Sequence, residues 1–176
     1  MNSTDFNWGD TTIDSRDIIS RYEELQDEYI SLFEAVEAAE EDLNEFILET
    51  TGPLSFKVKE DESSLANLKD EVQDAKENLQ DFVTSDDMGE FEQLKEIVKQ
   101  GEDSPDWSYG ETLIHETYFT QYIKEVIDDC YEMPKDLNSG VWPWNHVEMD
   151  WDAAAEEAKQ DYTTIEADGE TYYIKA

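Results

Sequence analysis

The sequence predicts a mainly α fold of the α+β kind, in which a long antiparallel helical hairpin, or coiled coil, precedes a small α+β module with a terminal β-hairpin. Two segments carry apolar residues alternately three and four positions apart, and a Gly-Pro pair separates them. Near the C-terminus, Asp168-Gly169 lies between two strand-like runs, and Asp-Gly favours a two-residue hairpin turn. A chain of 176 residues suits one domain or two small ones.

The first helix is predicted from about residue 14 to about residue 49. Asp14 or Ser15 can cap its start, because a short polar side chain accepts hydrogen bonds from the free backbone amides there. At 1.5 Å per residue the helix is about 50 Å long, and Gly52-Pro53 stops the chain from continuing it. Its apolar seam consists of Ile18, Tyr22, Leu25, Tyr29, Leu32, Val36, Ala39, Leu43 and Phe46.

A second helix, capped by Ser63 or Ser64, is predicted to pack against the first, with Phe56 of the connection turned inward. Residues 84–87 interrupt it, and a short third helix follows around Phe91. We expect four regions: a flexible N-terminal arm (1–13), an acidic helical hairpin with the third helix (14–100), a polar linker (101–110) and an acidic α+β module (111–176). The second seam consists of Leu65, Leu68, Val72, Ala75, Leu79 and Phe82.

The module should contain two helices and the β-hairpin. Apolar residues from Leu113 to Cys130 fit one helix with a broad apolar face, which would bury Cys130. A second helix should start at Asp150 or Asp152, and residues 162–175 should form the hairpin. We expect most of the aromatic segment 141–151 to be core, although an exposed Trp there could anchor a partner.

The charge is extreme, because 47 acidic residues oppose 12 basic ones and the net charge is −35. A net charge of magnitude about 2–8 is enough to keep a small domain soluble. Chains with such a high net charge are often disordered. Here, 12% aromatic residues and the regular apolar spacing favour a folded chain. Nucleic acids and anionic membranes would repel it, so the expected partner is a basic protein surface.

Hydropathy, the N-terminal residues and the cysteine count indicate the cellular compartment of the protein. It has no apolar run of about 18–20 residues that could span a membrane, and we do not expect its first residues to act as a secretory signal. Cys130 is the single cysteine, which fits a reducing compartment. We therefore expect a cytoplasmic protein and no membrane partner. The oligomeric state is open and includes a homodimer.

Catalytic, cofactor and metal sites are not predicted, so the protein is not expected to be an enzyme. His115-Glu116 begins like a zinc-protease motif but lacks the second His. Glu148, Asp150 and Asp152 alternate without the glycine and bidentate Glu of a calcium loop. His115 is expected to be a surface or packing residue and His146 a packed loop residue.

The acids of the first helix avoid its seam, and no Lys or Arg follows Arg21 before residue 50. Like charges four positions apart destabilise a helix. A coiled-coil face that is only exposed to solvent would not need this pattern, so the pattern favours a functional role for the acids. Thirty-five charges match about 60 Å of B-DNA, which carries one charge per about 1.7 Å. The candidate partner-binding acids are Glu23, Glu24, Asp27, Glu28, Glu34, Glu37, Glu40, Glu41, Asp42, Glu45, Asp128, Asp129, Asp150, Asp152, Glu156 and Glu157.

The last third of the chain resembles the C-terminal part of the ArdA-type antirestriction proteins. Residues 122–137 match their acidic helix and Pro-containing turn, and 149–162 match the aromatic-Asp-aromatic-acid element and following helix. Residues 155–158 lack the family's Gly and Arg, and 142–145 look inserted. The resemblance implies a phage or conjugative-element protein that imitates bent DNA and blocks type I restriction–modification enzymes.

Three functions remain open at this point. The first is a DNA-mimic inhibitor of a restriction–modification enzyme or, as an anti-CRISPR-type protein, of a CRISPR effector. The second is an acidic coiled-coil adaptor or chaperone for a basic nucleic-acid-binding protein. Salt adaptation ranks last, since ten Lys against two Arg and many large aromatic residues are not typical of it.

Overall fold

The computed structural model describes residues 6–50, 61–132, 134–137 and 139–176. The chain forms two compact units. One, here called the helical unit, contains residues 21–92, and the other, the sheet unit, contains residues 1–20 and 93–176. The predicted class is confirmed: a helical hairpin is followed by a small α+β region with a terminal β-hairpin.

The described residues form six α-helices and four strands. The helices are α1 (Ser15–Thr50), α2 (Asp61–Thr84), α3 (Asp86–Gly101), α4 (Trp107–Gly110), α5 (Phe119–Cys130) and α6 (Trp151–Ala158). The strands are β1 (Thr12–Asp14), β2 (Thr112–His115), β3 (Tyr162–Ala167) and β4 (Glu170–Lys175).

Within the helical unit, α1 and α2 run antiparallel, as predicted. The rings of Tyr29 and Phe82 lie 6.1 Å apart, and Glu40, further along α1, pairs with Lys76, further back along α2. Every described seam position on both helices is buried or half-buried, and Leu25 is fully buried. The seam is therefore the core of this unit.

The ends of the long helices match the sequence in part. Asp14 caps α1, because its Oδ1 accepts a hydrogen bond from the backbone amide of Arg16 at 2.9 Å. The predicted caps of α2 are wrong: this helix already includes Asp61, so Ser63 and Ser64 lie inside it. Phe56 lies outside the described residues.

The sheet unit is built on an antiparallel sheet with strand order β1-β2-β4-β3. The predicted hairpin joins β3 to β4, with Asp168 and Gly169 at φ values of 51° and 81°. Positive φ at both positions is what a two-residue hairpin turn requires, and Gly accepts it without steric cost. Ile114, Phe119, Ile123 and Ala155 form a core cluster that packs β2 against α5 and α6.

Three expectations about the sheet unit are wrong. Residues 12–13 do not belong to a loose arm, because Ile13 is buried and pairs with Leu113 across the sheet. Residues 101–110 are not a polar linker, because they contain α4 and the buried Trp107. The helix predicted from Leu113 starts only at Phe119. Residues 112–115 form a central strand, whose continuous apolar run periodicity alone cannot distinguish from a buried helix.

Two glycines of α3 provide a matched test of the packing around Trp107. A Cβ at Gly101 would overlap the buried Trp107 ring, whereas a Cβ at Gly89 would meet nothing within 4 Å. Gly101→Ala should therefore lower the free energy of unfolding by about 1–3 kcal/mol through overpacking. Gly89→Ala should raise it by about 0.5–1 kcal/mol, because alanine loses less backbone entropy in a helix. Urea unfolding measures both, and equal effects would contradict this packing.

Candidate acidic binding surface

The outer face of α1 carries a row of carboxylates opposite the seam, here called the outer row. At 3.6 residues per turn, its members lie within about 40° of one line along the helix. At 1.5 Å per residue, their successive axial spacings are about 6, 10.5, 10.5 and 6 Å. All five side chains are exposed. The outer row consists of Glu23, Asp27, Glu34, Glu41 and Glu45.

Other candidate acids of α1 lie beside this row. Glu28, Glu37 and Asp42 are exposed, and so is Glu24, whose carboxylate lies 2.9 Å from the Arg21 guanidinium. Glu40 differs, because it is only partly exposed and its carboxylate lies 2.6 Å from Lys76 Nζ on α2. Glu40 therefore joins the two helices of the hairpin, and its charge is largely offset there.

Arg21 organises a cluster of carboxylates at the start of the helical unit. Its Nε and Nη2 donate to the two carboxylate oxygens of Glu90 at 3.1 and 2.8 Å, a bidentate pair between α1 and α3. Glu24 and Asp87 also lie within 3.5 Å of the guanidinium. The hydrogen bonds that Arg21 donates to Glu90 are the main cause that raises the pKa of Arg21 above its ordinary value.

The remaining candidate acids lie in the sheet unit. Asp150 caps α6, because its Oδ1 accepts from the backbone amide of Ala153 at 3.0 Å. Glu156 pairs with Lys159 at 2.6 Å, and this hydrogen bond raises the pKa of Lys159. Asp128 and Asp129 end α5, whereas Asp152 and Glu157 lie on α6; all four are exposed. The candidates thus form two sets, one in each unit.

Several helices have a distribution of charged side chains that is unfavourable with respect to the helix dipole. The negative end of a helix dipole lies at its C-terminus, where a basic side chain stabilises and an acidic one destabilises by about 0.3–1 kcal/mol. No basic residue occupies the last turn of α1, α2, α5 or α6. Asp128 and Asp129 even add acids there in α5. Stability alone would not select this arrangement.

The aromatic segment contradicts the core prediction. Trp142 is 77% exposed and Trp144 is 40% exposed, and His146 is exposed beside them rather than packed. Cys130 is exposed as well, because it lies at the end of α5 beyond the apolar face. His115, in contrast, is buried, with Nε2 3.1 Å from Glu170 Oε2 and its ring edge-on to Tyr172.

Comparison with known proteins yields no relative: no protein family, curated protein or solved structure matches the chain. Across the described residues, no helix is both long and apolar enough to cross a membrane. Nor do three or more potential ligand side chains converge there in a way that could hold a metal ion. The charged and exposed surfaces are therefore the features that point to a function.

Arg21 lies at the centre of a carboxylate cluster that the sequence pattern did not single out, and its contribution to stability is testable. Arg21→Gln removes the bidentate pair and leaves Glu24, Asp87 and Glu90 to repel one another. We expect a loss of about 1–2 kcal/mol in the free energy of unfolding at low salt. The loss should shrink at high salt, because counterions screen the repulsion.

Lys99→Gln is the matched control, since it removes the same charge from an exposed side chain whose carboxylate partner, Glu96, is 3.9 Å away. Lys99 lies in the last turn of α3, where a basic side chain stabilises by about 0.3–1 kcal/mol, so its effect should stay below about 1 kcal/mol. Denaturant unfolding at two salt concentrations compares the two variants. Similar losses in both, or no dependence on salt for Arg21→Gln, would show that Arg21 does not organise the carboxylates.

Proposed function

We propose that this protein is a DNA mimic that inhibits a bacterial defence enzyme by occupying its DNA-binding surface. The observation that carries the proposal is the outer row on a continuous 36-residue helix, with no Lys or Arg between Tyr22 and Thr50. A helix holds its side chains at fixed intervals, so the carboxylates form an ordered array. Ordered negative charge is what a phosphate-binding surface recognises.

The axial spacing of the outer row fits a nucleic-acid strand. Phosphates follow one another every 3.4 Å along the axis of each strand. Two and three such intervals are about 6.8 and 10.2 Å, close to the row's spacings of about 6 and 10.5 Å. A strand winds around its axis whereas the row is straight, so the match is one of axial charge spacing and not of positions in space. Glu24, Glu28 and Asp42 on one side of the row, and Glu37 on the other, widen it.

The energetic cost of the pattern favours function over a solvated helix face. Like charges at helical spacing cost a few tenths of a kcal/mol per pair, and acids near helix C-termini add to this. A surface that mixes Glu and Lys would keep the protein equally soluble without that cost. A binding surface for a basic partner provides a reason to keep it.

The C-terminal resemblance to ArdA-type proteins supports a type I restriction–modification enzyme as the target. A CRISPR effector has a similarly basic channel for nucleic acid and is the alternative within the same class. Both act on DNA inside bacteria, so the proposal places the protein in the host cytoplasm. Binding should weaken steeply as salt rises, as DNA binding does.

The proposal predicts that position matters more than total charge. In the outer-row variant, Glu→Gln and Asp→Asn replacements neutralise all five row carboxylates. In the control, five exposed acids of α2 are neutralised in the same way: Asp70, Glu71, Asp74, Glu77 and Asp81. DNA retention by type I restriction complexes and CRISPR effectors measures inhibition. Loss of five charge contacts should weaken inhibition by the outer-row variant by roughly a hundredfold or more at low salt, and by the control far less.

Two outcomes would count against this function. If both variants lose inhibition equally, net charge alone matters, as expected for an acidic adaptor or chaperone. If the unaltered protein leaves DNA binding by every enzyme in the panel unchanged, it is not a DNA mimic of this class. Circular dichroism of all variants checks that the helices persist.

A further inference from the structure

Residues 141–147 form an exposed apolar turn between α5 and α6, here called the aromatic knob. The backbone amide of Asn145 donates to the Val141 carbonyl at 3.1 Å, and that of Val147 donates to the Trp144 carbonyl at 3.1 Å. These bonds give the segment a defined backbone. Its large side chains nevertheless stay in water, since Val141, Trp142, Trp144 and Val147 are all exposed.

The aromatic knob exposes a large share of its apolar surface. At roughly 200 Å² per aromatic side chain, Trp142 and Trp144 together expose on the order of 230 Å². Val141, Val147 and the neighbouring Met149, each about half or more exposed, extend it. The largest apolar patch on a soluble monomer typically covers about 300–600 Å² and is often functional. Trp is also the side chain most typical of binding hot spots.

The charges around the knob define the chemistry of its occupant. Exposed acids lie on both sides of it in the sequence, against Lys135 and His146 as the local basic residues; these acids are Glu132, Asp136, Glu148, Asp150 and Asp152. An anionic membrane surface would be repelled by them. A second copy of the chain would bring two acidic rims together. The complementary surface is an apolar pocket bordered by Lys and Arg.

We propose that the aromatic knob anchors the protein to its partner by inserting Trp142, flanked by Trp144, into an apolar pocket with a basic rim. The inference rests on the proposed function, because the partner is the inhibited defence enzyme. It adds a contact of another kind. Apolar burial does not weaken as salt screens the carboxylates, so the knob sustains binding at salt concentrations where charge alone fails.

The test uses an enzyme that the unaltered protein inhibits, with inhibition measured at about 50 mM and about 200 mM salt. In the knob variant, Trp142→Ala and Trp144→Ala are combined. Tyr109→Ala is the matched control, because Tyr109 is an equally exposed aromatic residue (81%) of the same unit. At the higher salt, the knob variant should inhibit at least about tenfold more weakly than the unaltered protein. The control should stay within about twofold.

The outer-row variant separates this inference from the function it rests on. If the knob variant matches the unaltered protein at both salts while the outer-row variant fails, the anchor is wrong and the mimicry stands. If the unaltered protein inhibits nothing, the mimicry fails and the anchor fails with it.

Sedimentation and vesicle flotation test the other occupants. If the unaltered protein self-associates, or binds zwitterionic vesicles, and the knob variant does not, the knob belongs to a second copy or to a membrane. Either result would overturn the anchor. Because both Trp side chains are exposed, the knob variant should keep the circular dichroism of the unaltered protein.

Discussion

The apolar seam between α1 and α2 is the interaction on which the rest of the helical unit depends. Full burial of a large apolar side chain contributes roughly 1.5–3 kcal/mol, whereas each like-charge pair on a helix costs a few tenths. A few seam residues such as Leu25, Val72 and Phe82 therefore offset many repulsive contacts. Arg21 and Lys76 add ion pairs to Glu90 and Glu40. The carboxylates are ordered because the seam beneath them is.

The outer row and the aromatic knob differ in the kind of interaction they can make. In the proposed complex, the outer row would act through charge, which reaches about a Debye length, roughly 8–10 Å at physiological salt, and would speed the encounter with a basic partner. The aromatic knob would act only on contact, through burial of apolar area. Together they would give rapid association and a complex that persists in salt.

Local patterns predicted the elements whose stability is local. The two seams predicted α1 and α2, and Asp168-Gly169 predicted the β3–β4 turn, because spacing and turn chemistry decide these structures. Pairings between distant segments were missed. Residues 12–14 form a strand only because β2 lies beside them, about a hundred residues later in the chain. Burial of Trp107 likewise depends on tertiary contacts that a polar, Gly-flanked sequence does not reveal.

The acids of the candidate surface followed from the sequence, since any residue opposite a buried seam faces solvent. Their partners did not follow, because the ion pair of Arg21 with Glu90 joins residues far apart in the chain. The aromatic knob defied the general rule that large aromatic side chains are mostly buried. Its exposure depends on how the described segments pack around it, which composition cannot show.

If the outer-row carboxylates lie on a rigid, continuous helix, the distance between the two ends of the row is fixed, and measuring that distance is the most direct test. Spin labels on Glu23→Cys and Glu45→Cys, with the exposed Cys130 replaced by Ser, report the distance between the two ends of the outer row. A continuous α1 predicts a narrow distribution near about 33 Å at low salt. A broad distribution near about 26 Å, typical of a flexible chain of this length, would contradict the account.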